Sequence, residues 1–552
     1  MADMMSIARS GILAAQQRLG ATSNNIANVG TEGYNRQVVE QGSTASLRQG
    51  NHFVGTGTYV ADIKRVYNEF AQRELSLATS QLSQSSTSYS KLSELDQIFS
   101  VVGKSVPNSL NTLFENVNNL SDMPTDLAVR ENLLTSADQL AKAFNSINTE
   151  LSNQLNMQNK QIDGVVERVN AITAELAAIN GELQKVGGQD LQLLDQQDRL
   201  ISELSEFVQI NTIEQAHGVR SVMAGGAVML VSGETATELG TVAGDPIPHQ
   251  TRLTGTIGGQ TVTLRNTELG GQLQGLFDYR DNELTQAKQQ LELMAVGVAD
   301  AFNQAQANGL DLEGNPGENL FTDINDPSLV SRRTAPFAGN QSAVSVDVRI
   351  DDTMALSGGS YTLSFERGGF ALIDQHGDSV ALTADPQDPT RLISAQGFSL
   401  HIDPNQMAQV GDKWQLTPTP GVANGMQMLL TDPRQVAAAG NEGVFGPGDN
   451  SNAVAMAQLA NSKLMNQGDM TLTDIYQNVT TTVGGKARAA EVAMQSADAV
   501  KGQAEARVAS ESGVNLDEEA ADMMRFQQAY QASARIMTVA KETFDTLFNS
   551  VR

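Results

Sequence analysis

Side chains able to do chemistry are few and scattered. The five histidines, His52, His217, His249, His376 and His401, are too far apart in sequence to form a local metal pair. There is no cysteine, which removes disulfides, thiolate metal sites, iron–sulfur clusters and a Cys nucleophile. Gly103-Lys104-Ser105 has the end of a phosphate-binding loop, but Ile98 stands where the earlier glycine must be. Gly55-Thr56-Gly57 continues as Thr58-Tyr59-Val60 without the third glycine of a dinucleotide fingerprint, leaving a turn between strands. In Asp311-Leu312-Glu313-Gly314-Asn315-Pro316 the sharp-turn glycine of a calcium loop is replaced by Pro316, so a tight turn is predicted. Neither HExxH nor GxSxG occurs, and the abundant carboxylates single out no acid–base pair. The expectation is no catalytic site, no cofactor and no metal.

Composition narrows the classes further. The chain has 552 residues and 36 Lys+Arg against 63 Asp+Glu, a formal charge of −27. That length makes several domains, and that charge argues against nucleic acid or an anionic membrane as partner. The opening Met1-Ala-Asp-Met-Met-Ser-Ile-Ala-Arg9 has no charged and apolar signal pattern, so no cleaved secretory signal is expected. No 18-residue apolar run is present, so no membrane insertion is expected either.

The positioning elements follow from proline and from apolar spacing. Twelve of the 14 prolines lie between Pro246 and Pro447, leaving long arms free for helices. From Leu140 to Leu183, apolar residues recur in steps of three and four, which predicts a helix roughly 65 Å long. Gly187-Gly188 ends it, a further helix runs through Leu193–Leu204, and helical spacing resumes over Leu273–Phe302 and Val454–Val508. Between them, short alternating runs at Ser345–Ile350, Tyr361–Phe365, Phe370–Asp374, Ser379–Leu382, Phe398–Ile402 and Trp414–Leu416 predict an antiparallel β domain with Trp414 in its core. Val228–Val231 and Thr261–Leu264 predict a smaller β region. The expected fold is α+β and multi-domain: terminal heptad helices of coiled-coil type, an elongated discontinuous α-helical bundle and inserted antiparallel β domains. The expected boundaries are a terminal assembly domain of 1–60 with 509–552, and a helical rod of 61–206, 266–325 and 450–508. A small β insertion over 207–265 and an outer β domain over 326–449 complete the expectation.

The chain ends carry heptads. Met5, Ile12, Leu19 and Ile26 are seven apart, with Ala8, Ala15, Thr22 and Val29 three residues later. Leu516, Met523, Tyr530, Met537, Phe544 and Val551 repeat the spacing, with Phe526, Ser533, Ala540 and Leu547 as companions. A 3.5-residue repeat makes a narrow seam that must be covered, by the other end or by a second copy. Short helices alone are marginal in water, so loosely attached ends that order on packing are expected. The N-terminal seam runs into Ser23-Asn24-Asn25-Ile26-Ala27-Asn28-Val29-Gly30-Thr31-Glu32-Gly33-Tyr34, whose Asn and Gly are turn chemistry: a helix stop before an extended segment.

That stretch, through Asn24, Asn25, Asn28, Thr31, Gly33 and Tyr34, resembles the N-terminal signature of bacterial flagellar rod, hook and hook-associated axial proteins. Ser512-Gly513-Val514-Asn515-Leu516-Asp517-Glu518-Glu519, followed by Met523, Phe526 and Tyr530, is similar to the partner signature at the other end of that superfamily. Leu193-Leu194-Asp195-Gln196-Gln197-Asp198-Arg199-Leu200 and the Asn308-Gly309 to Leu320-Phe321 turn resemble the hook-associated family at the hook–filament junction. The resemblance implies a structural flagellar component that forms a junction ring. It implies export as an unfolded chain by the flagellar type III route, without a cleaved signal peptide, to an extracellular place on the flagellum. The implied partners are copies of itself, the hook protein, the next hook-associated junction protein and an export chaperone on the C-terminal amphipathic segment. The alternatives are a hook or rod axial protein, a secreted surface adhesin, and an enzyme within the outer β insertion.

Overall fold

The computed structural model describes every residue except 1, 32, 50, 227, 258, 265–268, 368, 404–406, 443, 551 and 552. Glu32 of the N-terminal motif and Val551 of the seam therefore lie outside the described residues. Helix α1 (Ala2–Ala27) stops at the Asn-rich turn and leads into antiparallel strands β1 (Gln37–Ser43) and β4 (Thr58–Arg65). Between these strands lies the small hairpin β2 (Leu47–Gln49) and β3 (His52–Val54). Because β4 runs through residue 60, the expected domain boundary there falls inside a paired strand.

Helices α2 (Glu69–Gln97), α3 (Ser105–Asp122), α4 (Leu127–Lys185) and α5 (Leu191–Phe207) build the body. Three of their starts are capped by side chains: Asn68 accepts from the amides of Phe70 and Ala71, Asp126 from Ala128 and Val129, and Asp190 from Gln192 and Leu193. At 59 residues, α4 is about 90 Å long, longer than the predicted helix because it begins at Leu127 rather than Leu140. The extra turns are held by buried Val129, Leu133, Leu134 and Ala137, on a helix that packs against α3. Two π-helical stretches, Ile98–Val102 after α2 and Tyr279–Leu284 between α6 (Gly271–Asp278) and α7 (Thr285–Ala307), have no counterpart in the apolar spacing.

The smaller β region is two antiparallel sheets. One is β5 (Ile210–Glu214), β6 (Arg220–Ala224), β7 (Val228–Ser232) and β8 (Thr235–Ala236) in sequence order. The other places β10 (Arg252–Ile257) between β9 (Glu238–Val242) and β11 (Gln260–Thr263). Beyond β12 (Gly309–Leu310) and α8 (Pro327–Val330) comes the outer β domain. Its strands are β13 (Thr334–Pro336), β14 (Val346–Ile350), β15 (Tyr361–Glu366), β16 (Gly369–Asp374), β17 (Ser379–Val380), β18 (Leu382–Ala384), β19 (Arg391–Ser394), β20 (Phe398–Ile402) and β21 (Lys413–Leu416). They form sheets ordered β13-β21-β15-β16-β17 and β14-β20-β19-β18. Trp414 is buried and its indole N–H donates to the Val344 carbonyl at 3.1 Å. After α9 (Val422–Gly425), β22 (Ala439–Gly440) pairs with β12 and returns the chain to the body. Helix α10 (Ser451–Gln458) and then α11 (Leu472–Ser512) follow, and α12 (Leu516–Ser550) closes the chain. The molecule is α+β and multi-domain.

Buried apolar residues fall into two separate clusters. One joins α3, the first half of α4, α7, the outer strands and α11 as far as Val483. The other joins the second half of α4, α5, the smaller sheets and α6. Among the described residues, none from α1 or α12 belongs to either cluster.

Candidate assembly site where the chain ends meet the helical body

The two terminal helices pack antiparallel on each other. A Cβ placed on Gly11 would lie 2.8 Å from Ser533 Oγ, the Arg18 guanidinium stands 5.2 Å from the Phe526 ring centroid, and Asn25 bonds Glu519 at 3.1 Å. Each helix therefore advances seven residues between contacts, the register that a heptad seam gives. The column consumed inside the chain consists of Ala8, Ala15 and Thr22 against Phe526 and Ala540, all buried. The flanking column is left half-buried at Ile12, Leu19, Ile26, Met523, Tyr530 and Met537. Met5, Leu516, Phe544 and Leu547 are exposed, together with Met524, Ile536, Val539 and Phe548. The result is an incompletely covered apolar column along α12, Leu516, Met523, Tyr530, Met537 and Phe544.

The family motifs at the two ends meet at the end of this pair. Asn25 is 1 % exposed and uses its whole amide: Nδ2 donates to the Gln37 carbonyl and Glu519 Oε2, while Oδ1 accepts from Tyr34 Oη at 2.8 Å and the Gln37 amide at 2.9 Å. Asn24 donates weakly to Tyr34 Oη, Asn28 folds back onto the Asn24 carbonyl at 2.9 Å, and Thr31 Oγ1 donates to Asn28 Oδ1. Gly33 follows at φ +75°, a left-handed angle that a side chain would strain. Burial, reinforced by Asp195 and Glu519, pushes the Tyr34 phenol up to about 12, so it remains a donor throughout the physiological range.

The C-terminal motif is a helix break and restart. A Cβ on Gly513 would lie 2.3 Å from the Ala509 carbonyl oxygen, so only glycine fits this sharp exit from α11. Val514 is half-buried, and Asn515 Oδ1 accepts the Asp517 amide at 3.0 Å to start α12. Asp517, Glu518 and Glu519 place negative charge on the first turn, where the helix dipole favours it. Glu518 also pairs with Arg36 at 3.1 Å, whose backbone N–H donates to the Ser512 carbonyl. Replacing Gly513 by Ala should loosen this joint by about 1–3 kcal/mol, the usual cost of overpacking. Hydrogen exchange of the α12 amides reads this; unchanged protection would mean that the turn relaxes without loss.

The Asp195 motif supplies the third side of the site. Asn35, 4 % exposed, donates to Asp195 Oδ1 at 2.9 Å. One nitrogen of Arg65 bonds both Asp195 and Asp198 at 2.7 Å, and Arg220 bonds the other oxygen of Asp198. The ring of Tyr67 lies against both guanidinium groups, with its centroid 5.4 Å from Arg65 and 4.8 Å from Arg220. Burial pulls the Arg220 guanidinium down, but Asp198 and Tyr67 outweigh it and the net shift is upward. Burial and Asp198 push the Tyr67 phenol up to about 12. Gln197 is fully buried and donates to Asn180 and the Gly218 carbonyl, tying α5 to α4 and the smaller sheet. The sequence motif contains Asp195 and Asp198 but none of their partners. Asn35, Arg65, Tyr67 and Arg220 complete the network, and their spacing along the chain carries no signal that they meet.

Comparison with known proteins follows the same geography. The family described as the flagellar hook-associated protein FlgK helical domain matches residues 92–321. Flagellar hook-associated protein 1 of Escherichia coli (strain K12) is 28 % identical over 559 residues, covering 100 % of both chains. Over its whole length the chain is similar to flagellar hook-associated protein 1. The member from Bacillus subtilis (strain 168) is 22 % identical over 588 residues, covering 99 % of this chain and 98 % of the other. The two ends match broader families, the flagella basal body rod protein over 5–35 and the flagellar basal body rod FlgEFG protein C-terminal over 507–550. The flagellar hook junction protein FlgK from Burkholderia pseudomallei shares the fold, with a TM-score of 0.70 at 22 % identity over 78 % of this chain and 98 % of that one. The family is one of structural flagellar proteins. Among the described residues, no group of three or more His, Asp or Glu side chains is placed to hold a metal, and no helix is long and apolar enough to cross a membrane.

Proposed function

We propose that this protein is a building block of the junction between flagellar hook and filament, and that copies of it pack into a ring through α1 and α12. The observation that carries this reading is the incompletely covered apolar column of α12, Leu516, Met523, Tyr530, Met537 and Phe544 at seven-residue steps, beside a seam whose inner column is already spent on α1. Exposed apolar stripes of this length are interaction surfaces, and a heptad repeat prescribes another helix as the occupant. Neither α1 nor α12 contributes to the two apolar clusters, so the pair can reorder during assembly without unmaking them. The hook protein and the next hook-associated junction protein are the neighbours along the axis. Before assembly, the chain travels unfolded through the type III route without a cleaved signal, and an export chaperone covers the amphipathic C-terminal helix by helix-in-groove binding. The extracellular flagellum is the resulting place of work.

The rod-type matches at both ends also support a second reading, a hook or rod axial protein. Deleting the gene separates the two. Cells should keep their hooks, lack attached filaments and release flagellin into the medium. Loss of the hooks themselves would overturn the junction reading in favour of the axial one.

A further inference from the structure

The two apolar clusters are joined by two helical crossings, α4 and α6–α7, and the packed pair α2 and α11 runs alongside them. Helix α4 passes from Leu151 of one cluster to Ile162 of the other through residues 152–161, which are polar except for Leu155 and Met157. There Gln158, 1 % exposed, donates to the Leu276 carbonyl, and Asn159 donates to the His249 carbonyl at 2.8 Å. The α6–α7 crossing passes from Phe277 of one cluster to Tyr279 of the other, where the helix turns π-helical over Tyr279–Leu284. Helix α2, beside them, ends in the π-helical stretch Ile98–Val102, whose Ile98 and Phe99 belong to the first cluster. Helix α11 leaves its cluster at Val483 and continues with Gly484-Gly485.

These features face one another. A Cβ on Gly484 would lie 3.3 Å from Asp96 Oδ1, directly before the first π stretch. Lys486 donates to Glu283 at 2.7 Å, inside the second. Glycine pairs and π-bulges are the ordinary seats of helix kinks, and a layer held by side-chain-to-backbone bonds can exchange them for water without exposing apolar area. On one side of this level a cleft of about 760 Å³ separates residues 245–252 from Arg332, Phe337, Gln375 and Gln415. It is crossed by a hydrogen bond from the Ala338 amide to Asp245 at 2.9 Å.

We propose that this waist is a bending point. The half containing α5 and the smaller sheets swings against the half containing α3, α7 and the outer β domain, with the cleft taking up the motion and Gly484-Gly485 as the soft element of α11. The joint is a property of the single chain and does not rest on ring formation.

The absence of cysteine allows two to be introduced. Spin labels at Ala171→Cys and Arg349→Cys, both exposed, span the waist, whereas Glu115→Cys and Arg349→Cys both lie in one half. Pulsed dipolar spectroscopy on the full-length monomer should give a broad or two-peaked distance distribution for the first pair and a single narrow peak for the second. Gly485→Ala, whose added methyl meets no atom within 4 Å, should narrow the first distribution towards the second. A spanning pair as narrow as the control overturns the hinge, and so does a broad distribution that Gly485→Ala leaves unchanged.

Discussion

Replacing Met523, Tyr530 and Met537 together by Asp should abolish incorporation into the flagellum and leave the central domains folded. The three side chains are seven residues apart and form the half-buried column that flanks the α1–α12 contact. A charge at each position must be desolvated before a second helix can cover the column, and an unpaired buried charge is costly enough to forbid the contact. The body is insulated from the change, because neither apolar cluster includes a residue of α1 or α12. Complementation of the deletion strain measures the first half of the expectation, and thermal unfolding of the purified variant measures the second. Filament growth on the triple variant would sink the seam as the assembly surface.

Asp198→Ala should cost roughly 3–5 kcal/mol of stability, the range for removing one partner of a buried ion pair. Asp198 and its partners Arg65 and Arg220 have side chains only 9 %, 6 % and 8 % exposed. The substitution leaves Arg65 with Asp195 alone and strands the Arg220 guanidinium against Tyr67 without its carboxylate. Urea unfolding gives the magnitude, and limited proteolysis should find the β1–β4 segment released from α5 ahead of global unfolding. Asp195→Asn should cost less, since an amide oxygen still accepts from Asn35 and Arg65. A loss below about 1 kcal/mol for Asp198→Ala would mean that solvent screens the cluster as it does a surface pair.

The parts of the fold legible in the sequence are those encoded by neighbours. The apolar face of α4 repeats every three or four residues, the outer strands alternate between Gly, Asp and Pro, and Trp414 sits in an alternating run; each is a local period that reports one buried side. The heptads of α1 and α12 are visible for the same reason. Which column faces inward is not: small residues at Ala8, Ala15 and Thr22 admit the close approach of Phe526, and that choice depends on the partner helix. The first turns of α4 are harder to read, although Val129, Leu133, Ala137 and Leu140 keep the helical spacing. Arg130 is buried beside them, and a charge on an apolar stripe reads as the end of it. Its guanidinium is accommodated by donating to the Pro124 and Val436 carbonyls, which only the folded chain brings within reach.

Sequence by itself determined most of the elements, the coiled-coil period of the ends and the turn chemistry of residues 24–33. Tertiary structure decided which charges become neighbours. Asp195 and Asp198 lie on α5, Arg65 ends β4, Arg220 begins β6 and Glu519 sits in the first turn of α12, so no local period relates them. Their attraction becomes specific only when folding removes water from between them, because in the extended chain each is solvated alone. The same holds for the waist: a glycine pair, a polar stretch in α4 and a π stretch are ordinary one at a time, and packing brings them together.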